Sequence, residues 1–214
     1  MNDSIGSAYI PKLLGIYEKE LAPSIERACQ LDWQQLIDVG AGEGYYVVGM
    51  ALRNPTKPIV AFEMDAEGRE LLATMAALNG VDHQIEICGK CDVEDLQQVL
   101  TGDRTTLLIC DVEGYERVLL DPVKIPALAH AFILVELHDF ASPGLSDDIY
   151  QRFQATHQIQ PIQQTPRSSE EFPFTADYPR PLPEVMIEWT VAEWRSPQMS
   201  WFWMEPYSHH QSHA

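Results

Sequence analysis

The chain has 214 residues, 45% of them hydrophobic, which suits one globular domain with a sizeable core. Acidic residues number 32 and basic ones 14, for a formal charge of −18 that phosphate backbones would repel, so nucleic acid is not expected as a partner. No apolar run reaches the roughly 20 residues of a membrane span. The opening Met1-Asn2-Asp3-Ser4 lacks the basic and apolar regions of a signal peptide, so a cytoplasmic protein without a membrane partner is expected.

In chain order, Ile10, Leu13, Leu14, Tyr17 and Leu21 recur at helical spacing and predict a first helix, with Pro11 in its first turn. Pro23 starts a second short helix ending near Cys29. Strands and helices then alternate. Leu36–Val39 is a short apolar strand that breaks into a glycine-rich turn, and Tyr45–Arg53 is helical. Ile59–Phe62 is a second strand, closed by Glu63. Ala66–Leu78 is a helix stopped by Asn79-Gly80. Gln84–Cys88 is a third strand, followed by a helix through Leu96 and Leu100. Thr106–Cys110 is a fourth strand, Tyr115–Leu120 a short helix and Ala131–Val135 a fifth strand. Asp147–Thr156 is helical and His157–Gln163 a sixth strand. Gln164–Pro183, rich in proline, serine and acids, is a long loop of the kind that is functional or disordered. Glu184–Arg195 reads as a helix and Ser200–Met204 as a last strand. The polar tail from Ser208 carries histidines to which no role is given. Such alternation implies a mostly parallel sheet with right-handed crossovers.

The strongest motif is Ile37-Asp38-Val39-Gly40-Ala41-Gly42-Glu43-Gly44, between a strand and a helix. Glycines there allow a tight turn and a close ligand approach, and the helix start presents free N–H groups. Dinucleotide enzymes want G-x-G-x-x-G over a pyrophosphate. Here the glycines fall as G-x-G-x-G and Asp38 precedes them by two residues. That suits S-adenosylmethionine (SAM), which has no pyrophosphate but has an ammonium in need of a carboxylate. A bare strand–helix turn without ligand gives the same pattern. Glu63 can accept hydrogen bonds from both ribose hydroxyls of a nucleoside. Asp92, past the third strand, can accept from an adenine amino group, cap the helix after it, or both.

Several blocks then carry a family resemblance: Tyr17-Glu18, the stretch Ile37–Tyr45, Ala61-Phe62-Glu63-Met64-Asp65, Leu78-Asn79-Gly80, Cys110-Asp111-Val112-Glu113-Gly114-Tyr115-Glu116 and Val135-Glu136-Leu137-His138. In this order they resemble the FkbM-type SAM-dependent methyltransferases over roughly Tyr17 to Asp139. Glu43 and Met64 stand where Asn and Pro are commoner. The resemblance implies a Rossmann-like, doubly wound α/β fold of about seven strands, mostly parallel, with the last antiparallel and helices on both faces. It implies an N-terminal helical segment (1–33) packed on a class I methyltransferase domain (34–214), with a loop insert near 164–183. It also implies methyl transfer from SAM, leaving S-adenosylhomocysteine, to a hydroxyl of a small metabolite such as a sugar or polyketide. Asp38, Gly40, Gly42 and Glu63 fall on its cofactor positions, and Gly44, Asp92 and Asp111 complete the expected cofactor set.

In open α/β sheets the ligand lies across the strand C-termini where strand order reverses. Methyl transfer needs alignment, exclusion of water and a base for a hydroxyl acceptor. His138 is the first candidate base, since histidine titrates near neutrality, and Asp111 the second; a structural histidine and a capping aspartate are the plain alternatives. No metal is expected. A divalent cation on Asp111, His138 and Asp139, activating the acceptor hydroxyl, is a less favoured variant. Phe172, Phe174 and Tyr178 would contact the acceptor from the long loop. Three rivals share parts of this pattern. Cys88-Gly89-Lys90-Cys91 is the CxxC of a thiol redox protein, whereas Cys29 and Cys110 lie in apolar runs as buried thiols. For a nicotinamide dehydrogenase, the chain lacks the glycine spacing and room for a second nucleotide-binding half. A SAM-binding module without turnover would use the same residues.

Overall fold

The computed structural model describes residues 8–174, 182–195 and 198–207. Helix α1 (Tyr9–Leu14) and, after a 3₁₀ turn at Lys19–Leu21, α2 (Ala22–Gln30) lead into the alternating part. There β1 (Gln35–Val39), α3 (Tyr45–Arg53), β2 (Ile59–Phe62), α4 (Ala66–Leu78), β3 (Ile85–Cys88), α5 (Val93–Val99), β4 (Thr106–Cys110), α6 (Glu116–Leu119) and β5 (Phe132–Leu137) follow one another. The chain closes with α7 (Leu145–Phe153), β6 (His157–Gln163), α8 (Glu184–Val191) and β7 (Ser200–Pro206).

The seven strands make one sheet in the order β3-β2-β1-β4-β5-β7-β6. The first five strands pair parallel, and β7 lies antiparallel between β5 and β6. The sheet is therefore the expected doubly wound one. Strand side chains alternate between its faces, so each strand feeds two cores. Leu36, Leu107, Ile109, Leu134 and Trp203 pack with Ala28, Met50 and Leu72 of α2, α3 and α4 on one face. Ile37, Leu108, Ile133, Val135 and Met204 pack with Leu96, Leu119 and Ile149 of α5, α6 and α7 on the other. Each buried Leu, Ile, Val or Met among them contributes about 1.5–3 kcal/mol by leaving water. Near-continuous apolar runs, as in β4 with all five residues buried, are what a sheet covered on both faces requires. The N-terminal segment joins the first core through Leu21, Ala28 and Leu31. No described helix is long and apolar enough to cross a membrane.

Helix α7 lies at Leu145–Phe153 rather than Asp147–Thr156 and β7 runs on to Pro206, and three further elements differ from the sequence reading for a local reason. The first helix stops at Gly15, which takes a left-handed conformation (φ 69°) and bonds back to Lys12 and Pro11, so Tyr17 and Leu21 lie beyond it. Strand β5 runs on through Glu136 to Leu137, because Arg195 pairs with the buried glutamate that interrupts the apolar run. Helix α8 ends at Val191, not Arg195, with Trp194 in a left-handed conformation between two residues that turn inward, Glu193 and Arg195. The long loop holds a 3₁₀ turn at Ser169–Glu171. Its start is tied to the N-terminal segment, Thr165 N–H and Arg167 Nη1 both donating to Glu20 Oε1 at 2.6 Å.

Candidate functional site

Strand order reverses between β1 and β4, and there a cavity of about 480 Å³ opens at the strand C-termini. Its walls include Asp38, Gly40 and Gly42 from β1 and the glycine loop, Glu63 after β2, Cys91 after β3, Asp111 and Glu113 after β4, and Glu136 on β5. Lys12, Tyr17 and Glu18 close it from the N-terminal segment.

Asp38 is buried on β1, and among the described residues none hydrogen-bonds its carboxylate. Burial, with the Asp111 and Glu63 charges adding, pushes its pKa up to about 8. Such a group invites a cation, which would restore its charge. Glu63 is fixed instead: Gly42 N–H donates to Oε2 and Asp65 N–H to Oε1, each at 2.7 Å. Each oxygen keeps a second lone pair for a ligand hydroxyl. Gly40 is needed because a Cβ there would overlap the carbonyl oxygen of Asp111 on the neighbouring strand.

Two expected cofactor residues lie off the cavity wall. Gly44 (φ 94°) is the N-cap of α3, and a Cβ there would run into Leu72 of α4, so this glycine serves helix packing. Asp92 is an exposed helix N-cap: it accepts from Asp95 N–H at 2.9 Å, and Asp95 accepts from Asp92 N–H at 3.0 Å. Its neighbours Lys90 and Cys91 line the cavity in its place.

Beneath the opening lies a charged network. Glu136 and Asp111 share a hydrogen bond between carboxyl groups; burial raises the pKa of both, the Asp111 charge pushes Glu136 up further, and the bond from Glu136 partly offsets the rise at Asp111. Arg195 Nη1 donates to Glu136 Oε1 at 2.5 Å, while its Nη2 reaches Glu18 and the Tyr17 hydroxyl. Glu18 also accepts from the Tyr46 hydroxyl. Glu18 (φ 47°) and Glu113 (φ 53°) hold left-handed conformations, which are uncommon for non-glycine residues.

His138 is buried behind the Asp111 and Glu113 side chains and is not part of the cavity wall. Its Nδ1 lies 2.7 Å from Glu116 Oε1, and its Nε2 3.5 Å from both Asp111 and Glu113. Burial lowers its pKa, but the Glu116 hydrogen bond and the three carboxylates outweigh this and raise it. Asp111, Glu113 and His138 bring donor atoms within 4.8 Å of one another, a set that could hold a divalent cation. Asp139 is not in it, being engaged with the Ser146 N–H and hydroxyl.

Among the described residues of the long loop, none lines the cavity. Phe172 and Phe174 pack on each other with ring centroids 5.6 Å apart, and Tyr178 lies outside the described residues. Cys91 is buried and its thiol is pushed up to about 12 by burial and then by Asp95, Asp92 and Cys88; the Cys88 thiol is raised as well. Both are poor thiolates, which weakens the redox reading. Lys12, Glu18 and Arg195 are the participants that strand-end reasoning missed. Only Glu18 left a trace, in the Tyr17-Glu18 block.

No family model matches the chain, and no curated protein does. Solved structures do. The precorrin-6Y C5,15-methyltransferase of Geobacter metallireducens superposes with a TM-score of 0.57 at 9% identity, over 89% of each chain. The O-methyltransferase TomG of Streptomyces achromogenes, involved in tomaymycin synthesis and solved with SAM, gives 0.52 at 17% identity over 96% of this chain and 83% of its own. A SAM-dependent O-methyltransferase of Thermotoga maritima gives 0.53 at 13% identity over 88% and 65%. The fold is thus that of class I SAM-dependent methyltransferases. At these identities the likeness is one of fold.

Proposed function

We propose that the protein is a SAM-dependent methyltransferase of FkbM type that methylates a hydroxyl of a small metabolite. The observation that carries this is the pair of carboxylates on adjacent strand ends: Asp38 buried without a hydrogen-bond partner among the described residues, and Glu63 held by two backbone amides. Asp38 would take the cofactor's ammonium and Glu63 its ribose hydroxyls. A dinucleotide would bring two phosphates against a wall that includes Glu18, Asp38, Glu43 and Glu63, whereas SAM arrives as a net cation. Gly40 and Gly42 belong to the same wall; the assignment of cofactor contacts to Gly44 and Asp92 is dropped.

When bound, the cofactor supplies an electrophilic methyl on a good leaving group. Asp111 reaches the cavity and stands ready to take the acceptor's proton. Glu136, bonded to Asp111, shares that proton, and Arg195 balances the charge of the pair. His138 acts from behind as a cation that steadies Asp111. This reverses the expected ranking of His138 over Asp111, because the histidine does not reach the wall. The cation set Asp111, Glu113 and His138 is not required by this chemistry. The protein's acidity supports a small acceptor over a nucleic acid.

The test is a calorimetric titration of wild-type protein with SAM, S-adenosylhomocysteine and NADH. Micromolar binding of the first two without the third is the expected result. Binding of NADH alone, or of none of the three, would refute the reading.

A further inference from the structure

The cofactor reading leaves one end of the ligand unheld. The methionyl carbon of SAM bears a carboxylate beside its ammonium, and Asp38 can serve only the ammonium. A carboxylate entering this cavity would meet Glu18, Asp38 and Glu43 unless a cation stood with it.

Among the described residues, two ammonium groups line the cavity, Lys12 and Lys90. Lys90 follows β3, the edge strand on the far side of β2, with its ammonium 5.3 Å from the Tyr115 ring centroid. Lys12 stands at the β1 end. Its Nζ is 2.5 Å from Glu43 Oε1 in the glycine loop, 4.7 Å from the Tyr17 ring centroid and 5.3 Å from that of Tyr45, the first residue of α3. Taking a lysine ammonium largely out of water is unfavourable unless charge and ring faces receive it. Helix α1 nevertheless places Lys12 with only 13% of its side chain exposed, while its Leu13 is 66% exposed.

We propose that Lys12 is a cofactor-binding residue, carried over the glycine loop by α1, that receives the α-carboxylate of the methionyl group. The zwitterionic end of the ligand is then held by opposite charges, Asp38 on the ammonium and Lys12 on the carboxylate, and Glu43 keeps the lysine in place. A purely structural Lys12, pinning α1 to the loop, would favour every adenosyl ligand alike.

The experiment compares S-adenosylhomocysteine with its decarboxylated analogue, by calorimetry, on wild type, Lys12→Met and Lys12→Arg. The expected result is a loss of roughly 10–100-fold in affinity for S-adenosylhomocysteine in Lys12→Met, the range for a hydrogen bond between charged groups. The decarboxylated ligand should change by less than threefold, and Lys12→Arg should restore most of the S-adenosylhomocysteine affinity. Equal losses for the two ligands, or a loss for neither, would overturn the assignment while the cofactor reading stands. Failure of wild type to bind S-adenosylhomocysteine would overturn both.

Discussion

Replacing Glu63 by Gln tests the cofactor site where its geometry is tightest. Both carboxylate oxygens already accept a backbone N–H at 2.7 Å, from Gly42 and from Asp65. A carboxamide of the same shape must turn its NH₂ toward one of these amides, donor against donor, or swing away and leave one amide bare. Two ligand hydroxyls on a carboxylate are worth about 1.5–3 kcal/mol each, and the amide keeps one neutral bond of about 0.5–1.5 kcal/mol. The net loss of about 2–5 kcal/mol weakens S-adenosylhomocysteine binding by at least roughly 30-fold. The orphaned amide also destabilises the protein by about 1–3 kcal/mol, a fall of roughly 2–12 °C in Tm for a chain this long. Calorimetry reads the first quantity and a thermal melt the second, with near-UV circular dichroism as the check on folding. A Kd within threefold of wild type in a folded variant would refute the reasoning, since no ribose could then be resting on Glu63.

The other predictions address the groups around it. Because burial and neighbouring carboxylates raise Asp38 to about 8, its neutral form is the one the empty fold favours, so its contribution to stability is full at acid pH and fades as pH climbs toward 8. Asp38→Asn removes that dependence: the Tm difference between variant and wild type should move in the variant's favour from pH 5 to 8, and a flat difference would contradict the assignment. In wild type, the ligand's ammonium should ionise Asp38, so S-adenosylhomocysteine binding at pH 7 should release close to one proton, read by calorimetry in buffers of unequal ionisation enthalpy. Gly44→Ala should lose about 1–3 kcal/mol of stability against Leu72 and its positive φ; ligand affinity should stay within threefold, and a selective loss of affinity would return Gly44 to the cofactor wall. Glu116→Gln should lower the His138 pKa seen by NMR, since the Glu116 carboxylate is the strongest of the groups raising it. His138 contributes stability below its ordinary range that is lost as pH rises through its raised value, so this loss should shift to lower pH in the variant. An unmoved midpoint would show that Asp111 and Glu113 alone hold the imidazole charged.

The sheet was legible because each strand of the parallel part is a short apolar run between turn residues, and burial on both faces leaves such runs little else to be. Ile59–Phe62 and Thr106–Cys110 match to the residue. Reading failed where a tertiary partner decided the local outcome. Glu136 looked like the end of an apolar run, and only Arg195, 59 positions on, explains why the strand continues. Gly15 looked like one weak residue in a helical stripe, yet its left-handed φ ends the helix. Trp194 has a side chain that argues against a left-handed conformation, and nothing near it in the sequence announces one.

The site divides along the same line. Asp38, Gly40, Gly42, Glu63 and Asp111 lie within three residues of strand ends, so the topology that places the strands also places them in one cavity. Gly44 and Asp92 lie farther on, at helix starts, which impose demands of their own, and a small N-cap or a carboxylate capping box meets those demands whether or not a ligand is near. What completes the cavity comes from outside the alternating part of the chain. Lys12 and Glu18 reach it from α1 and the segment after it, and Arg195, on the turn after α8, pairs with Glu18 and Glu136 of a wall whose strand-end residues are acidic. On the proposed reading, the strand ends supply the groups that an ammonium and a ribose need. The groups that would make one ligand end and one acceptor fit better than others lie on appended segments, where neither apolar periodicity nor glycine spacing constrains the sequence.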